Sequence, residues 1–294
     1  MIKQYLSDKQ KSVNHFLEER MPSRHSKPPI IYEAMRYSLF AGGKRIRPIL
    51  TILIHEMLGG SGDKVLYPAC SIELIHTYSL IHDDLPALDN DDYRRGKLSS
   101  HKKFGEAIAI LAGDALLTMA FQWIGKTEYP PQTVQSILQI VSEAAGVAGM
   151  IGGQVADLEA ENRNLSQIDE KEELEYIHLN KTAALLRASI LIGSQTANAS
   201  SEQYEKLYQI GTLIGLAFQV ADDILDVEGD EKEIGKSIGK DKESNKLTYP
   251  ALYGLETSKK KANELIEKCC ELIKTFENNQ LLLELSQLII NRKN

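Results

Sequence analysis

The sequence of 294 residues is organised around one stretch, Ser79-Leu-Ile-His-Asp-Asp-Leu-Pro-Ala-Leu-Asp-Asn-Asp-Asp-Tyr-Arg-Arg-Gly96. It ends an apolar run and places five aspartates directly before Arg94 and Arg95. So many negative charges repel one another unless cations neutralise them, and the two arginines can form forked hydrogen bonds to a phosphate group. Taken alone, the stretch fits two interpretations: a solvated acidic loop, or a site where divalent metal ions bridge a phosphate.

A second acidic cluster far along the chain favours the metal site. A strongly apolar segment, predicted to be a helix over residues 202–227, ends with Phe218-Gln-Val-Ala-Asp-Asp-Ile-Leu-Asp226. Asp222 and Asp226 are four residues apart, so they lie on one face of that helix. Carboxylates in an otherwise apolar helix are costly unless metal or solvent satisfies them. Because Mg²⁺ is held by a few carboxylates together with water and substrate phosphate, the two clusters predict a polyphosphate substrate.

Three basic segments are candidates for binding that polyphosphate. They are Ala41-Gly-Gly-Lys-Arg-Ile-Arg-Pro48, the pair Arg94–Arg95, and the loop Gly235-Lys-Ser-Ile-Gly-Lys-Asp241. The first could be no more than a basic loop between two helices, but beside a metal–phosphate cluster it is better interpreted as an anion pocket. Together the segments carry too many cations for one metal-bridged diphosphate and enough for two.

Composition bounds the remaining possibilities. Helix-forming Ala, Leu, Glu, Lys and Ile dominate and aromatic residues make up only 6%, which indicates an all-helical protein. No repeat or low-complexity linker interrupts the chain, so residues 1–294 are predicted to form a single domain. The net charge of -7 argues against nucleic-acid binding.

The sequence also predicts a soluble cytoplasmic protein. The N-terminus is too polar for a signal peptide, and the longest apolar stretches are too short to span a bilayer or are interrupted by Asp114. None of the cysteines, Cys70, Cys269 and Cys270, has the C-x-x-C spacing of a zinc or redox site.

The motifs together resemble those of the trans-isoprenyl diphosphate synthase family. The resemblance rests on Asp83-Asp84-x-x-x-x-Asp89, Asp222-Asp223-x-x-Asp226 and Gly42-Gly-Lys-Arg-Ile-Arg-Pro48, and runs from about Arg36 to Tyr249. It implies an all-α fold of the isoprenoid synthase type, with antiparallel helices around a central cavity, usually as a homodimer. It further implies Mg²⁺, as three ions, and condensation of dimethylallyl or geranyl diphosphate with isopentenyl diphosphate.

The resemblance also implies a role for individual side chains. Mg²⁺ would be bound by Asp83, Asp84, Asp89, Asp222 and Asp226. The allylic diphosphate would be held by Arg94, Lys181 and Lys236, and isopentenyl diphosphate by Lys44, Arg47, His76 and Arg95, with Lys246 as a further phosphate-side candidate. The allylic carbocation would be stabilised by the Lys181 carbonyl, the Thr182 hydroxyl and the Gln219 amide oxygen.

Tyr78 and Ser79 precede the first aspartate pair and are candidates for setting product length. At about 1.5 Å per residue, Tyr78 lies roughly 7.5 Å further down the helix than Asp83. A growing apolar tail that ran along this helix would meet the Tyr78 ring. In the family a large residue here goes with short products, so a fifteen-carbon (farnesyl) product is expected. The alternative is a core tyrosine with no effect on product length.

Other functions remain open at this point. A geranylgeranyl or longer-chain synthase differs only in the depth of its pocket, and a terpene cyclase also uses an Asp-rich motif. A metal-dependent phosphohydrolase is a candidate from another class, because His55, His76 and His82-Asp83 loosely resemble a His/His-Asp site. Neither the cyclase nor the hydrolase accounts for all the motifs, and two intact Asp motifs argue against a non-catalytic subunit.

Overall fold

The computed structural model describes residues 1–162, 169–228 and 246–290, and within these ranges the chain is almost entirely helical. The β-structure there is one antiparallel hairpin of two-residue strands, in which Tyr93 pairs with Leu98 and Arg94 with Lys97. The predicted all-α fold class is therefore confirmed.

The helices follow one another with short connections. In chain order they are α1 (Ile2–Arg20), α2 (Pro29–Leu39), α3 (Ile46–Met57), α4 (Leu66–Asp83), α5 (Ser100–Phe104), α6 (Glu106–Gly125), α7 (Pro131–Ala145), α8 (Met150–Asn162), α9 (Glu170–Ile177), a π-helix (His178–Ala183), α10 (Ala184–Thr196), α11 (Ser201–Glu228), α12 (Tyr249–Tyr253), α13 (Leu255–Ile273) and α14 (Gln280–Ile290). A 3₁₀ turn, Asp63–Val65, precedes α4, and the strands β1 (Tyr93–Arg94) and β2 (Lys97–Leu98) follow it.

The chain divides into two compact units. The N-terminal unit comprises Lys3–Ile52 and Gly62–Leu138, and the C-terminal unit comprises Met1–Ile2, Leu53–Ser61 and Gln139–Asn294. The first acidic cluster belongs to the N-terminal unit and the second to the C-terminal unit. The expectation that residues 1–294 form a single domain stays a prediction.

The N-terminal unit is built on the contact between α4 and α6. Helix α4 is buried along most of its length, as expected for a helix that is apolar on nearly all faces. At one side of this core the rings of Phe16, Tyr67 and Trp123 meet edge to face, with centroids 4.9 to 6.0 Å apart. The start of α4 is therefore anchored by this aromatic cluster, and burial along the rest of the helix fixes the direction in which it leads to the first aspartates.

The C-terminal unit is built around α11, which packs against α10, α13 and the π-helix. Two glycines permit very close backbone approach: a Cβ at Gly153 would collide with the Lys181 backbone, and one at Gly215 would collide with Ala183. The π-helix is thus held between α8 and α11 by residues without room for a larger side chain.

Two helical segments, Glu106–Gly125 and Pro131–Glu161, are long and apolar enough to cross a membrane by length and composition alone. Core helices of soluble proteins pass the same test, and α6 buries Ala109, Ala112, Leu116 and Ala120. The expectation of a protein without a membrane span stays a prediction.

Candidate active site

The first acidic cluster is closed by a loop that returns to the end of α4. Pro86 follows the helix, and the Asp89 N–H donates to the Asp83 carbonyl at 2.8 Å. This backbone bond brings Asp89 next to Asp83 although five residues separate them. The backbones of two of the three predicted metal ligands of this cluster are therefore hydrogen-bonded to each other.

Asp84, the third predicted ligand, is engaged with Arg94. The carboxylate of Asp84 is buried and accepts hydrogen bonds from Arg94 Nε, at 2.9 Å, and from Nη2. Burial acts to lower the pKa of Arg94, but the hydrogen bond and the charge of Asp84 outweigh it, so the pKa is raised. The pair holds the guanidinium rigidly beside the cluster, where Asp91 Oδ2 lies 3.6 Å from Arg94 Nη2.

The second arginine of the pair contacts the basic loop. Arg95 Nη1 donates to the Gly42 carbonyl, and a Cβ at Gly43 would lie only 2.6 Å from Arg95 Nη1. Gly42 and Gly43 have φ of 111° and 121°, a conformation that favours glycine. The two glycines therefore allow the guanidinium to approach the loop backbone, which links two segments predicted to bind diphosphate.

Arg45, inside the basic loop, has a different role from its neighbours. It is buried and forms an ion pair of 2.7 Å with Glu73, which is also buried. It also donates to the Leu39 carbonyl at 2.6 Å and to Asn14 Oδ1 at 3.0 Å. This pair was not predicted from the sequence, in which Glu73 inside an otherwise apolar helix was the available signal.

His76 lies in a strongly positive environment. Burial is the main reason that its pKa falls well below the usual value, and the charges of Arg47, Arg95, Arg94 and Arg45 lower the pKa further. Four predicted diphosphate ligands, Arg47, His76, Arg94 and Arg95, are thus close enough to interact electrostatically. Lys44 is exposed on the same loop. The N-terminal unit therefore offers an anion site beside a carboxylate pair.

Tyr78 lies on α4 beneath the aspartates, and only 5% of its surface is exposed. Its ring meets His82 edge to face at 5.6 Å, and its hydroxyl has no hydrogen-bond partner among the described residues. Burial, together with the charge of Asp83, raises the pKa of Tyr78 to about 12. Ser79 donates its hydroxyl to the His76 carbonyl at 2.9 Å, within the helix.

The aspartates of the second acidic cluster differ in how deeply they are buried. Asp222 and Asp226 are partly buried on α11, as expected for residues one helical turn apart, whereas Asp223 is buried. Asp223 accepts from Gln219 Nε2 at 2.8 Å and from the Tyr249 N–H at 2.9 Å, and His178 Nε2 lies 3.2 Å from its Oδ2. Asp223 is therefore the structural member of this motif.

The π-helix carries two of the three predicted carbocation-stabilising residues, and the third, Gln219, is on α11. The wide turn of the π-helix holds Lys181, whose Nζ donates to Asp157 Oδ2, and Thr182, whose hydroxyl donates to Gln219 Oε1 at 2.6 Å. Such turns are frequent at functional sites. The structure thus brings Lys181, Thr182 and Gln219 together from two segments. Lys246 lies 3.6 Å from Glu161 in the same unit.

The donor set fits Mg²⁺. Each cluster presents carboxylate oxygens, the hard ligands that Mg²⁺ prefers. In the part of the chain that the structure describes, no three or more His, Cys, Asp or Glu side chains form a group that could hold a metal ion. Mg²⁺ commonly takes one or two carboxylates and completes its shell with water and substrate phosphate. Lys236, also predicted to bind diphosphate, lies outside the described residues.

Comparison with known proteins gives matches along nearly the whole chain. The profile of the family described as Polyprenyl synthetase matches residues 28–289. The farnesyl diphosphate synthase of Micrococcus luteus is 44% identical, with 99% of each chain covered. The geranylgeranyl diphosphate synthase of Cyanophora paradoxa is 43% identical, covering 99% of this chain and 96% of that one. The solved geranyltransferase of Helicobacter pylori, complexed with magnesium and isoprenyl diphosphate, superposes with a TM-score of 0.85 at 33% identity, covering 98% of this chain and 96% of that one.

Proposed function

The chain belongs to the polyprenyl synthetase family, and from that membership we propose that it is a Mg²⁺-dependent trans-prenyltransferase that condenses an allylic diphosphate with isopentenyl diphosphate. The observation that carries the proposal is the closure of Asp89 onto Asp83 in the unit where His76 interacts with four arginines. Carboxylates beside a group of arginines suit a diphosphate, which needs both metal ions and cationic side chains.

We assign the side chains to two diphosphates. Arg94, Lys181 and Lys236 hold the allylic diphosphate, and Lys44, Arg47, His76 and Arg95 hold isopentenyl diphosphate, with Lys246 as a further phosphate ligand. The carboxylates that bind the metal are Asp83, Asp84, Asp89, Asp222 and Asp226, and Asp84 also orients Arg94. When bound, Mg²⁺, proposed as three ions, supplies positive charge that stabilises the leaving diphosphate.

The residues of the C-terminal unit act on the carbocation that remains when the allylic C–O bond ionises. The Lys181 carbonyl, the Thr182 hydroxyl oxygen and Gln219 Oε1 turn the negative ends of their dipoles toward it. Their positions are set before reaction by the hydrogen bond from Thr182 to Gln219 and by the ion pair between Lys181 and Asp157. The double bond of isopentenyl diphosphate then attacks the cation, and a proton leaves to the released diphosphate. No side-chain nucleophile takes part.

We propose a fifteen-carbon product. The support is Tyr78, a large and almost fully buried ring on α4 five residues before Asp83, where a product tail that ran down this helix would meet it. A geranylgeranyl product is the second candidate, because the Micrococcus luteus and Cyanophora paradoxa relatives are almost equally similar to this chain.

We further propose a cytoplasmic homodimer. The support comes from exposed apolar side chains in each unit: Ile110 and Leu111 on α6, and Val147, Ile151 and Val155 around the start of α8. Large exposed apolar side chains that lie close together mark interaction surfaces.

One assay tests the function. Purified protein is incubated with Mg²⁺, isopentenyl diphosphate and either dimethylallyl or geranyl diphosphate, and the products are separated by chain length. We expect a condensed fifteen-carbon diphosphate, with activity lost in excess EDTA and restored by Mg²⁺. Release of phosphate without condensation would identify the phosphohydrolase instead, and condensation only with an added protein would contradict a self-sufficient enzyme.

A further inference from the structure

We infer that His178 is a positioning residue that, through Asp223, fixes the orientation of the Gln219 amide toward the reacting carbocation. The inference rests on the proposed prenyltransferase function. It adds a residue to which the sequence motifs give no role, and it assigns a task to Asp223 other than metal binding.

The contacts form a short chain of hydrogen bonds inside the C-terminal unit. His178 Nε2 lies 3.2 Å from Asp223 Oδ2, Asp223 Oδ1 accepts from Gln219 Nε2 at 2.8 Å, and Gln219 Oε1 accepts from the Thr182 hydroxyl at 2.6 Å. Both ends of the first contact are buried, with 3% of His178 and 4% of Asp223 exposed. The contact between His178 and Asp223 is therefore almost completely shielded from bulk solvent.

The carboxylate determines which way the amide points. An ionised carboxylate only accepts hydrogen bonds, so the Gln219 group that faces Asp223 has to be the NH₂. The amide oxygen is then directed to Thr182, and the two side chains present oxygen dipoles as one unit. If Asp223 rotates away, the amide loses this constraint and can turn its NH₂, the positive end of its dipole, toward the cation.

His178 is placed to prevent that rotation. His178 and Thr182 are four residues apart in the π-helix segment, and Asp223 and Gln219 are four residues apart on α11. The two segments are thus tied by two parallel contacts, from His178 to Asp223 and from Thr182 to Gln219. The Tyr249 N–H also donates to Asp223 Oδ2, so His178 and Tyr249 together hold one oxygen while Gln219 uses the other.

There is space beside the ring of His178 for a substituted side chain. It stacks on Tyr249 with centroids 6.1 Å apart, and it lines a cavity of about 290 Å³ together with Leu174, Leu216 and Tyr253. His178→Phe keeps an aromatic ring beside Tyr249 and removes the ring nitrogens, including Nε2, which faces Asp223. His178→Gln keeps a donor at the position that corresponds to Nε2.

The test compares steady-state kinetics of the wild type, His178→Phe, His178→Gln and the control Tyr253→Phe. For His178→Phe we expect kcat to fall about tenfold or more, the range found when a residue that orients a reacting group is removed, with both KM values within about twofold. His178→Gln should recover most of kcat. Tyr253→Phe, whose ring lies 4.8 Å from that of Tyr249 and outside the hydrogen-bond chain, should match the wild type.

A double-mutant comparison shows whether His178 acts through the amide. In a Gln219→Ala background, His178→Phe should change kcat by less than about twofold, because the group that it orients is gone. The inference is overturned by a wild-type kcat in His178→Phe, by a loss confined to KM, by failure of His178→Gln to recover activity while its thermal unfolding is unchanged, or by additive losses with Gln219→Ala. If the wild type does not condense the two diphosphates at all, the proposed function fails as well, whereas condensation with an unaffected His178→Phe overturns the inference alone.

Discussion

At the scale of single residues, burial separates structural charges from those available to substrate. Arg45 and Glu73 form an ion pair from which water is almost excluded, whereas Lys44 next to Arg45 is exposed. Neighbours in one basic loop thus have opposite roles: Arg45 fixes the loop to α4, and Lys44 remains accessible.

Removal of one partner of the buried pair should strongly destabilise the protein. For Arg45→Met we expect a loss of about 3–5 kcal/mol in the free energy of unfolding, because Glu73 is left buried without its counter-charge. Urea unfolding followed by circular dichroism measures it. The exposed control Lys44→Met should change stability by less than about 0.5 kcal/mol, and the double variant Arg45→Met/Glu73→Leu should regain much of the loss. Equal stabilities of Arg45→Met and Lys44→Met would contradict the structural role.

Tyr78 should limit product length through its size and not its hydroxyl. Tyr78→Ala removes the ring, and we expect products longer than fifteen carbons, measured by chromatography of the dephosphorylated alcohols. Tyr78→Phe keeps the ring and removes a hydroxyl that has no partner among the described residues, so its product should be that of the wild type. An unchanged chain length in active Tyr78→Ala would mean that Tyr78 is only a core residue.

His76 should make stability depend on pH below neutrality. Its pKa in the folded protein is well below 6.5, owing to burial and the surrounding arginines, whereas the unfolded chain titrates near 6.5. As the pH falls below about 6.5, the unfolded state takes up a proton that the folded state does not, so the free energy of unfolding decreases. Above pH 7 His76 is neutral in both states, so its contribution to the free energy of unfolding is complete and no longer changes with pH.

The measurement is the urea concentration at the midpoint of unfolding, determined at several pH values from 7.5 to 5.5. The midpoint should fall less over this range in His76→Gln than in the wild type. A slope remains in the variant, because burial also lowers the pKa of His55. Identical slopes for the two proteins would show that His76 titrates normally in the folded state.

At the scale of elements, the π-helix is positioned by residues that lack side chains. Gly153 on α8 faces the Lys181 backbone and Gly215 on α11 faces Ala183, so both neighbouring helices approach it closely. Lys181 and Thr182 are displayed by this segment, and its placement therefore bears directly on the proposed chemistry.

Gly153→Ala should reduce activity and stability together. The added Cβ collides with backbone atoms that cannot rotate away, so the π-helix has to shift, and we expect a loss of about 1–3 kcal/mol in stability and at least a tenfold fall in kcat/KM. Gly125→Ala, at the end of α6 with nothing within 4 Å of the added Cβ, is the matched control and should be neutral. Equal kcat/KM values for the two variants would show that α8 tolerates displacement from Lys181.

At the scale of the whole molecule, the exposed apolar side chains are the feature that the isolated chain leaves unexplained. Leu111, with 53% of its surface exposed, and Ile110 lie on α6, the helix whose other side packs against α4. We propose that a second copy of the chain covers these side chains.

Leu111→Glu should therefore weaken dimerisation. Sedimentation velocity at micromolar concentration should show a dimer for the wild type and a larger monomer fraction for the variant, because a charge at an apolar interface is left unpaired. Gln132→Glu, at an exposed position on α7, adds the same charge away from this face of α6 and should remain dimeric. A monomeric wild type would refute the proposed homodimer.

The arrangement of the aspartates within each cluster was predictable from the local sequence pattern. The return of Asp89 to Asp83 follows from Pro86, and the shared face of Asp222 and Asp226 follows from helical periodicity. The pairing of Asp84 with Arg94 was not predicted. The motifs assigned Asp84 to Mg²⁺ and Arg94 to a diphosphate, and a motif does not show which charged side chains pair with each other in the folded protein. The role of His178 was missed because its partner Asp223 is 45 residues away in the sequence.

The helical fold class, the family and the chemical character of the site could be predicted from the sequence alone, since they follow from residue types and short spacings. The stretch Ser79–Gly96 was enough to predict carboxylates for metal and arginines for phosphate. The partners of the charged groups came only from the folded structure: Arg45 pairs with Glu73, Asp84 with Arg94, and Asp223 with His178 and Gln219. The reason is that burial and long-range pairing depend on how distant segments pack, whereas residue type and spacing are local properties of the chain.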